Sequence, residues 1–297
     1  MTANFRHREL RYGSREFLAA SDWARRLPSP RGRAVLASVA RDPALIRVLA
    51  TVWSLPVVDL QVGAKAANVW FGDHFRPVRR WRPAQAVLEP PTAEEPYLTG
   101  RSKQALRTNL RHARDFGVTS ARASYETWSE AASSILDARQ DDMGLKDKMD
   151  RPGPEQRMAI AAFEERLENN LYYYVARDAR GTPLAFAGAA LFGQFGVLFS
   201  LVSRPDRQPG ASWARYQLHT CLVLDLGRSG VRHLLVGSAI RQSPGNQYFQ
   251  HLLGYRARNL RVEVVADAAI RPAAAEAPAY IPLQQRGNFH SALERLR

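Results

Sequence analysis

From residue 98 to residue 265 the apolar positions switch between two periods. Residues 101–115 repeat every three to four positions (Leu106, Leu110, Ala113), the spacing of one helix face, and stop at Gly117. VTSARAS (118–124) alternates as a strand. YETWSEAASSILDARQDDM (125–143) and EQRMAIAAFEERLEN (155–169) return to helical spacing on either side of a polar loop through Pro152 and Pro154. LYYYVARD, TPLAFAGAALF and GVLFSLVS (171–203) are three strands joined by short turns. A long helix from Ser212 ends at Gly230, VRHLLVGSA (231–239) is a strand, QYFQHLLG (247–254) a short helix and NLRVEVV (259–265) a last strand. The order β-α-α-β-β-β-α-β-α-β, with three consecutive strands, predicts an α+β fold: a mixed, centrally antiparallel sheet flanked by helices.

The preceding residues are organised differently. RGRAVLASVARDPALIRVLATVW (31–53) has helical spacing interrupted near Pro43, and residues 57–62 and 67–72 read as strands with a turn at Gly72-Asp73. RPVRRWRPAQ (76–85) interleaves arginines with Trp81 and two prolines and is extended, while VLEPPTAEEP (87–96) has the proline content of a linker. The predicted organisation is a basic N-terminal α/β module over 1–97, the α+β domain over 98–285 and a C-terminal tail over 286–297.

Composition sharpens this picture in two places. The most apolar stretch, residues 44–63, is broken by Arg47, Pro56 and Asp59, which argues against a membrane span, and the charges from Arg6 onward argue against a signal peptide. Cys221 is the only cysteine, so an internal disulfide is excluded and a reducing, cytoplasmic compartment is expected. The net charge is +14, and only four of the 42 basic residues are lysine. Residues 1–122 hold 21 Lys/Arg against 10 Asp/Glu, so the positive field belongs mainly to the first two-fifths of the chain. A polyanionic partner suits that field.

The helix at 101–115 concentrates the charge. Lys103, Arg107, Arg111 and Arg114 recur at helical spacing beside the apolar stripe, although like-charged neighbours on a helix cost a few tenths (~0.2–0.5) of a kcal/mol per pair. A solvated face or a bound anion accounts for them. Arg79, Arg80, Trp81 and Arg82 form a second basic group, with an indole that either stacks a base or packs against protein.

Three local features resemble the GNAT acyltransferase superfamily over 118–265. Arg207-Gln208-Pro209-Gly210-Ala211-Ser212, between a strand and a long helix, is similar to the superfamily's pyrophosphate loop, with Ser212 where Gly or Ala is usual. The strand-to-helix stretch VGSAIRQSPGNQYFQHLLGY (236–255) resembles the place where family members put acyl donor and catalytic groups. Arg107-Thr108-Asn109-Leu110-Arg111-His112-Ala113, just ahead of the first strand, looks like the Fem-type branch, which takes its acyl group from aminoacyl-tRNA. Four residues before Gly254, where one branch has tyrosine and the other lysine, this chain has Gln250.

The resemblance implies an acyltransferase, with three readings open. In the first, aminoacyl-tRNA is the donor, a small amine or peptide the acceptor, and no other cofactor is required. Gln250 would hydrogen-bond the tetrahedral oxyanion with Tyr248 nearby, and the basic residues above would hold tRNA phosphates. In the second, acetyl-CoA is the donor, held by Arg207, Gly210, Ala211 and Ser212. In the third, the domain is a non-catalytic RNA-binding module. Candidates for a general base are Asp141 (with Asp142) and Ser238, with Ser200 and Ser203 on strands facing the expected cleft; each also reads as ordinary surface or filler. His219 and His233 sit in apolar stretches as core or edge residues, and no His/Cys/Asp spacing suggests a metal.

Overall fold

The computed structural model describes residues 52, 54–63, 81–143, 171–205, 208–239 and 242–265, with backbone alone at 62–63, 81–83, 140–143, 238 and 264. Its elements in chain order are β1 (Val57–Gly63), β2 (Trp81–Leu88), α1 (Glu94–Leu98), a single 3-10 turn (Arg101–Lys103), α2 (Gln104–Asp115), β3 (Thr119–Ala123), α3 (Tyr125–Met143), β4 (Leu171–Arg177), β5 (Pro183–Phe192), β6 (Phe195–Ser203), α4 (Ala211–Arg228), β7 (His233–Ser238), α5 (Pro244–Leu253) and β8 (Arg256–Val265). The fold class is the one the periodicity predicts. The predicted helices at 31–53 and 155–169 and the strand at 67–72 lie outside the described residues, apart from Val52 of the first. Within the stretch read as a linker, 87–96, residues 89–93 are irregular, between the end of β2 at Leu88 and the start of α1 at Glu94.

The chain packs as two compact units, which do not follow a linear boundary at residue 97. One comprises 62–75, 89–234 and 265–297, the other 1–61, 76–88 and 235–264, so the division falls inside β7.

In the first unit β3, β4, β5 and β6 lie side by side, each antiparallel to the next. Consecutive tyrosines on β4 show what covers the two faces. The Tyr173 ring lies 5.5 Å from Tyr125 and 4.8 Å from Trp128 of α3. Tyr174, pointing the other way, donates its hydroxyl to the Asp225 carboxylate of α4 at 2.5 Å. With a helix on each face, β4 and β5 are buried almost without alternation, which is why their sequences read as continuous apolar runs.

Helix α4 is buried on most sides and admits little added volume. A Cβ on Gly227 would stand 2.1 Å from the backbone carbonyl oxygen of Pro91. Backbone cannot swing aside as a side-chain end can. Gly227→Ala is therefore expected to destabilise the protein by about 1–3 kcal/mol despite alanine's better helix propensity, measured by denaturant unfolding.

His219 of α4 is fully buried, and burial, aided by the Lys103 charge, holds its imidazole pKa down to about 3. Because the folded pKa lies below the unfolded one, the unfolded chain binds the extra proton between about pH 6.5 and 3. Stability should fall with acidification across that window, by at most about 1.4 kcal/mol per pH unit from this group. His219→Phe should flatten that part of a melting-temperature profile; an unchanged slope would assign the acid sensitivity elsewhere.

In the second unit the strand order is β1-β8-β2-β7. β2 and β8 are antiparallel, with a bulge between Arg82 and Gln85 that accommodates Pro83 inside a strand. Ala84, at that bulge, adopts φ +45° and is fully buried. Asn259 of β8 holds it there. Its Oδ1 accepts the Ala84 N–H at 3.0 Å, and its Nδ2 donates to the carbonyls of Val52 at 2.9 Å and Leu55 at 3.2 Å. Its own N–H donates to the Pro56 carbonyl, so one buried side chain ties the bulge to the chain entering β1.

Candidate active site

The loop from β6 into α4 carries the residues expected to hold an anion, Arg207 excepted, which lies outside the described residues. The Gln208 N–H donates to the Pro205 carbonyl and the Ala211 N–H to the Gln208 carbonyl, closing two successive turns. Gly210 then stands as N-cap at φ +83°, with no side chain capping the helix start. Glycine is required twice over: the dihedral is left-handed, and a Cβ would stand 2.4 Å from the Phe116 ring. The Ala211 N–H being taken by Gln208, the N–H groups of Ser212 and Trp213 remain in the first turn of α4 to face an anion, with the helix dipole behind them. Ala211 is buried, Ser212 half-buried, and Arg207 lies outside the described residues.

Helix α2 docks beside this start. Its apolar face, Leu106, Leu110 and Ala113, is buried as its spacing predicts, and Arg107, Arg111 and Arg114 are exposed. Trp213, on the first turn of α4, lies 5.3 Å from the His112 ring and 6.0 Å from the Phe116 ring. The C-terminal end of the basic helix is thereby held against the anion cradle.

The four basic residues of the stripe are not equivalent. Lys103 is half-buried with its ammonium 4.5 Å from the Tyr97 ring centroid. Arg107 donates to the carbonyls of Leu98 and Gly100, closing the segment after α1. Arg111 and Arg114 form no side-chain hydrogen bond or ion pair among the described residues. Arg79 and Arg80 lie outside the described residues, and Trp81 and Arg82 are placed as backbone of β2, opposite Arg261 and Leu260 of β8.

In the other unit, α5 carries Gln250 and Tyr248. Ser243 caps it, accepting the Asn246 N–H at 3.3 Å, and Gly254 ends it at φ +97°. Gln250 is buried and Tyr248 is 60% exposed. The expected partnership of these two side chains is not formed, because residues two apart on a helix point to opposite sides. Gln247, buried on the same turn, donates to the carbonyls of Ala239 and Gln242 and so holds the segment following β7. Ser238 and Asp141 are placed as backbone only, the first ending β7 and the second in the last turn of α3.

Two features of the first unit escape the sequence reading. On the α3 face of the sheet, Gly188 of β5 sits opposite a bulge in β6. A Cβ there would meet the Phe199 ring at 2.3 Å and Ser200 Oγ at 3.0 Å, so both bulge side chains lean over the glycine. The available signal was a glycine inside an apolar strand. At the end of β6, Arg204 Nη2 donates to Ser134 Oγ of α3 and Arg139 Nη1 donates to the Ser203 carbonyl. Nothing in the spacing of those arginines pairs them. Cys221 is half-buried, its thiol 3.5 Å from the Ser120 carbonyl oxygen, and burial pushes its pKa up. Among the described residues no group of His, Cys, Asp and Glu is arranged to hold a metal, and no helix is long and apolar enough to cross a membrane.

Element order, antiparallel centre and glycine-started helix are the arrangement that the resemblance to the GNAT superfamily implies. No protein-family model matches the chain, and no curated protein does. Solved structures it resembles include FemX, at 9% identity and TM-score 0.46, covering 60% of this chain and 59% of that one. L-PGS from Bacillus licheniformis is 15% identical at TM-score 0.41, covering 60% of each chain. A tandem GNAT protein from the clavulanic acid biosynthesis pathway is 10% identical at TM-score 0.36, covering 59% of this chain and 50% of that one. The likeness spans less than two thirds of each of these chains.

Proposed function

We propose that this protein is an acyltransferase that moves an aminoacyl group from aminoacyl-tRNA to an amine of a small molecule or peptide. The observation that carries the reading is the docking of α2 on α4. It sets exposed Arg111 and Arg114 at the end of a helix packed against an uncapped, glycine-started helix N-terminus. A single phosphate needs only the helix start; a polynucleotide tail leaving it needs further cations. The aminoacyl ester is already activated, so positioning the amine supplies much of the acceleration. Gln250, the oxyanion donor expected in this reading, is buried on α5 of the other unit.

The same helix start suits the pyrophosphate of acetyl-CoA, through the N–H groups following Gly210, and this supports the second donor. One assay separates them. The purified full-length protein is given labelled aminoacyl-tRNA or labelled acetyl-CoA with mixed amines. Label transfer from the tRNA, abolished by RNase and indifferent to CoA, is the expected result. Transfer from acetyl-CoA that survives RNase replaces it with the second reading, and tight RNA binding with neither donor consumed leaves a non-catalytic module.

A further inference from the structure

We infer that the α3 face of β6 is the acceptor site, and that Arg139 and Arg204 recognise an anionic group, a carboxylate or a phosphate, on the acceptor. This rests on the acyltransferase reading and adds the chemical class of the second substrate.

The side chains of one face can be followed along the strand. Phe186 of β5 meets Trp128 of α3 at 5.4 Å, so it marks the α3 face, and Val202 is its partner on β6. Gly188, two residues on, shares that face, and the Phe199 and Ser200 side chains lean over it. Arg204, two residues beyond Val202, reaches Ser134 of α3 on this same side. Phe199, Ser200, Val202 and Arg204 therefore line one strip, with Ser134 and Arg139 of α3 at its far end.

The two ends of the strip differ in chemistry. At one end the Phe199 ring is 37% exposed, an apolar surface beside a buried Ser200 hydroxyl that has no partner among the described residues. At the other are two half-buried guanidinium groups. Arg204 gives Nε–H to the Pro183 carbonyl and an Nη2–H to Ser134; Arg139 gives an Nη1–H to the Ser203 carbonyl. Each guanidinium has five N–H donors, so donors remain on both, and Arg139 Nε is buried without an acceptor among the described residues. Neither forms an ion pair with a described carboxylate. Two like charges at one junction, with donors to spare, are stabilised by an anion that accepts from both forks. Four strand steps take Ser200 to Arg204, about 13 Å at 3.3 Å per residue, which bounds the length of a ligand lying along the strip.

The test compares acceptors that differ only in the anion: glycylglycine with glycylglycinamide, and O-phosphoethanolamine with ethanolamine. Equilibrium dialysis of the labelled compounds against the full-length protein without donor reads binding; transfer from whichever donor is consumed reads kcat/KM. The anionic member of at least one pair should be preferred about tenfold or more, the scale of a hydrogen bond to a charged group. The pair that responds distinguishes carboxylate from phosphate. Arg139→Gln and Arg204→Gln should each remove most of that preference, read as the ratio of anionic to neutral acceptor within each variant, and Arg204→Lys should keep part of it. Melting curves identify any variant that fails to fold, in which case the Arg204→Lys result decides. Equal use of anionic and neutral acceptors by the wild-type protein overturns the proposal, as does a preference unchanged in the variants. An anion preference in dialysis with neither donor consumed overturns the acyltransferase reading and leaves the anion site standing.

Discussion

Arg111→Glu combined with Arg114→Glu should lower the use of aminoacyl-tRNA by about a hundredfold while leaving the protein folded. Both side chains are exposed on the last turns of α2, whereas the helix is held by Leu106, Leu110 and Ala113 on its buried face. The reversal exchanges attraction for repulsion at two phosphate contacts. The folding cost is confined to placing carboxylates near a helix C-terminus, about 0.3–1 kcal/mol each. The salt dependence supplies a second readout: the slope of log affinity against log salt should become shallower by about 2, one for each lost phosphate contact. Arg107 is a poor choice for this experiment, because its guanidinium holds the carbonyls of Leu98 and Gly100, and reversing it disturbs the segment leading into α2. Unchanged tRNA kinetics in a folded double variant would return these arginines to ordinary surface.

Asn259→Ala should cost about 3–5 kcal/mol of stability, read as a lower midpoint of denaturant unfolding. The truncation strands a buried N–H at Ala84 and the Leu55 carbonyl, and leaves the Val52 carbonyl with the Leu55 N–H alone. An unsatisfied buried polar group costs about 1–3 kcal/mol, and water has little access to a side chain that is fully buried. Asn259→Asp separates hydrogen bonding from volume. It fills the same space and keeps the acceptor for Ala84, but it removes both Nδ2 donations and buries a carboxylate against two carbonyl oxygens. The aspartate variant should therefore be at least as unstable as the alanine one. A loss below about 1 kcal/mol in both would show that the bulge holds its shape without this side chain.

Much of the first unit was legible along the chain. Its strands and helices after residue 100 are marked by period or, as in β4 and β5, by continuous apolar runs, and the caps at Gly117 and Gly230 end helices where glycine tolerates a positive φ. The buried face of α2 was readable for the same reason. What did not read was any relation that depends on which chain segment lies alongside. β2 was recognised as extended, yet its pairing with β8 joins residues about 175 apart, as in the bond from Ala84 to Asn259, and a proline within it hides the strand.

The candidate site divides along the same line. The glycine-started helix at Gly210 and the four basic positions of α2 are local patterns, so their spacing was enough to find them. Their inequality was not local: Lys103 is drawn onto Tyr97 and Arg107 onto the carbonyls that precede α2, while Arg111 and Arg114 form no side-chain bond among the described residues. Gln250 and Tyr248, two positions apart in the motif, fall on opposite sides of α5. Arg139 and Arg204 stand 65 positions apart, and only packing α3 on the sheet brings them to one junction. Periodicity reports the face a residue occupies on its own element, because that follows from backbone geometry. The partner on that face is chosen by the packing of elements distant in the chain, where burial and hydrogen-bond satisfaction decide.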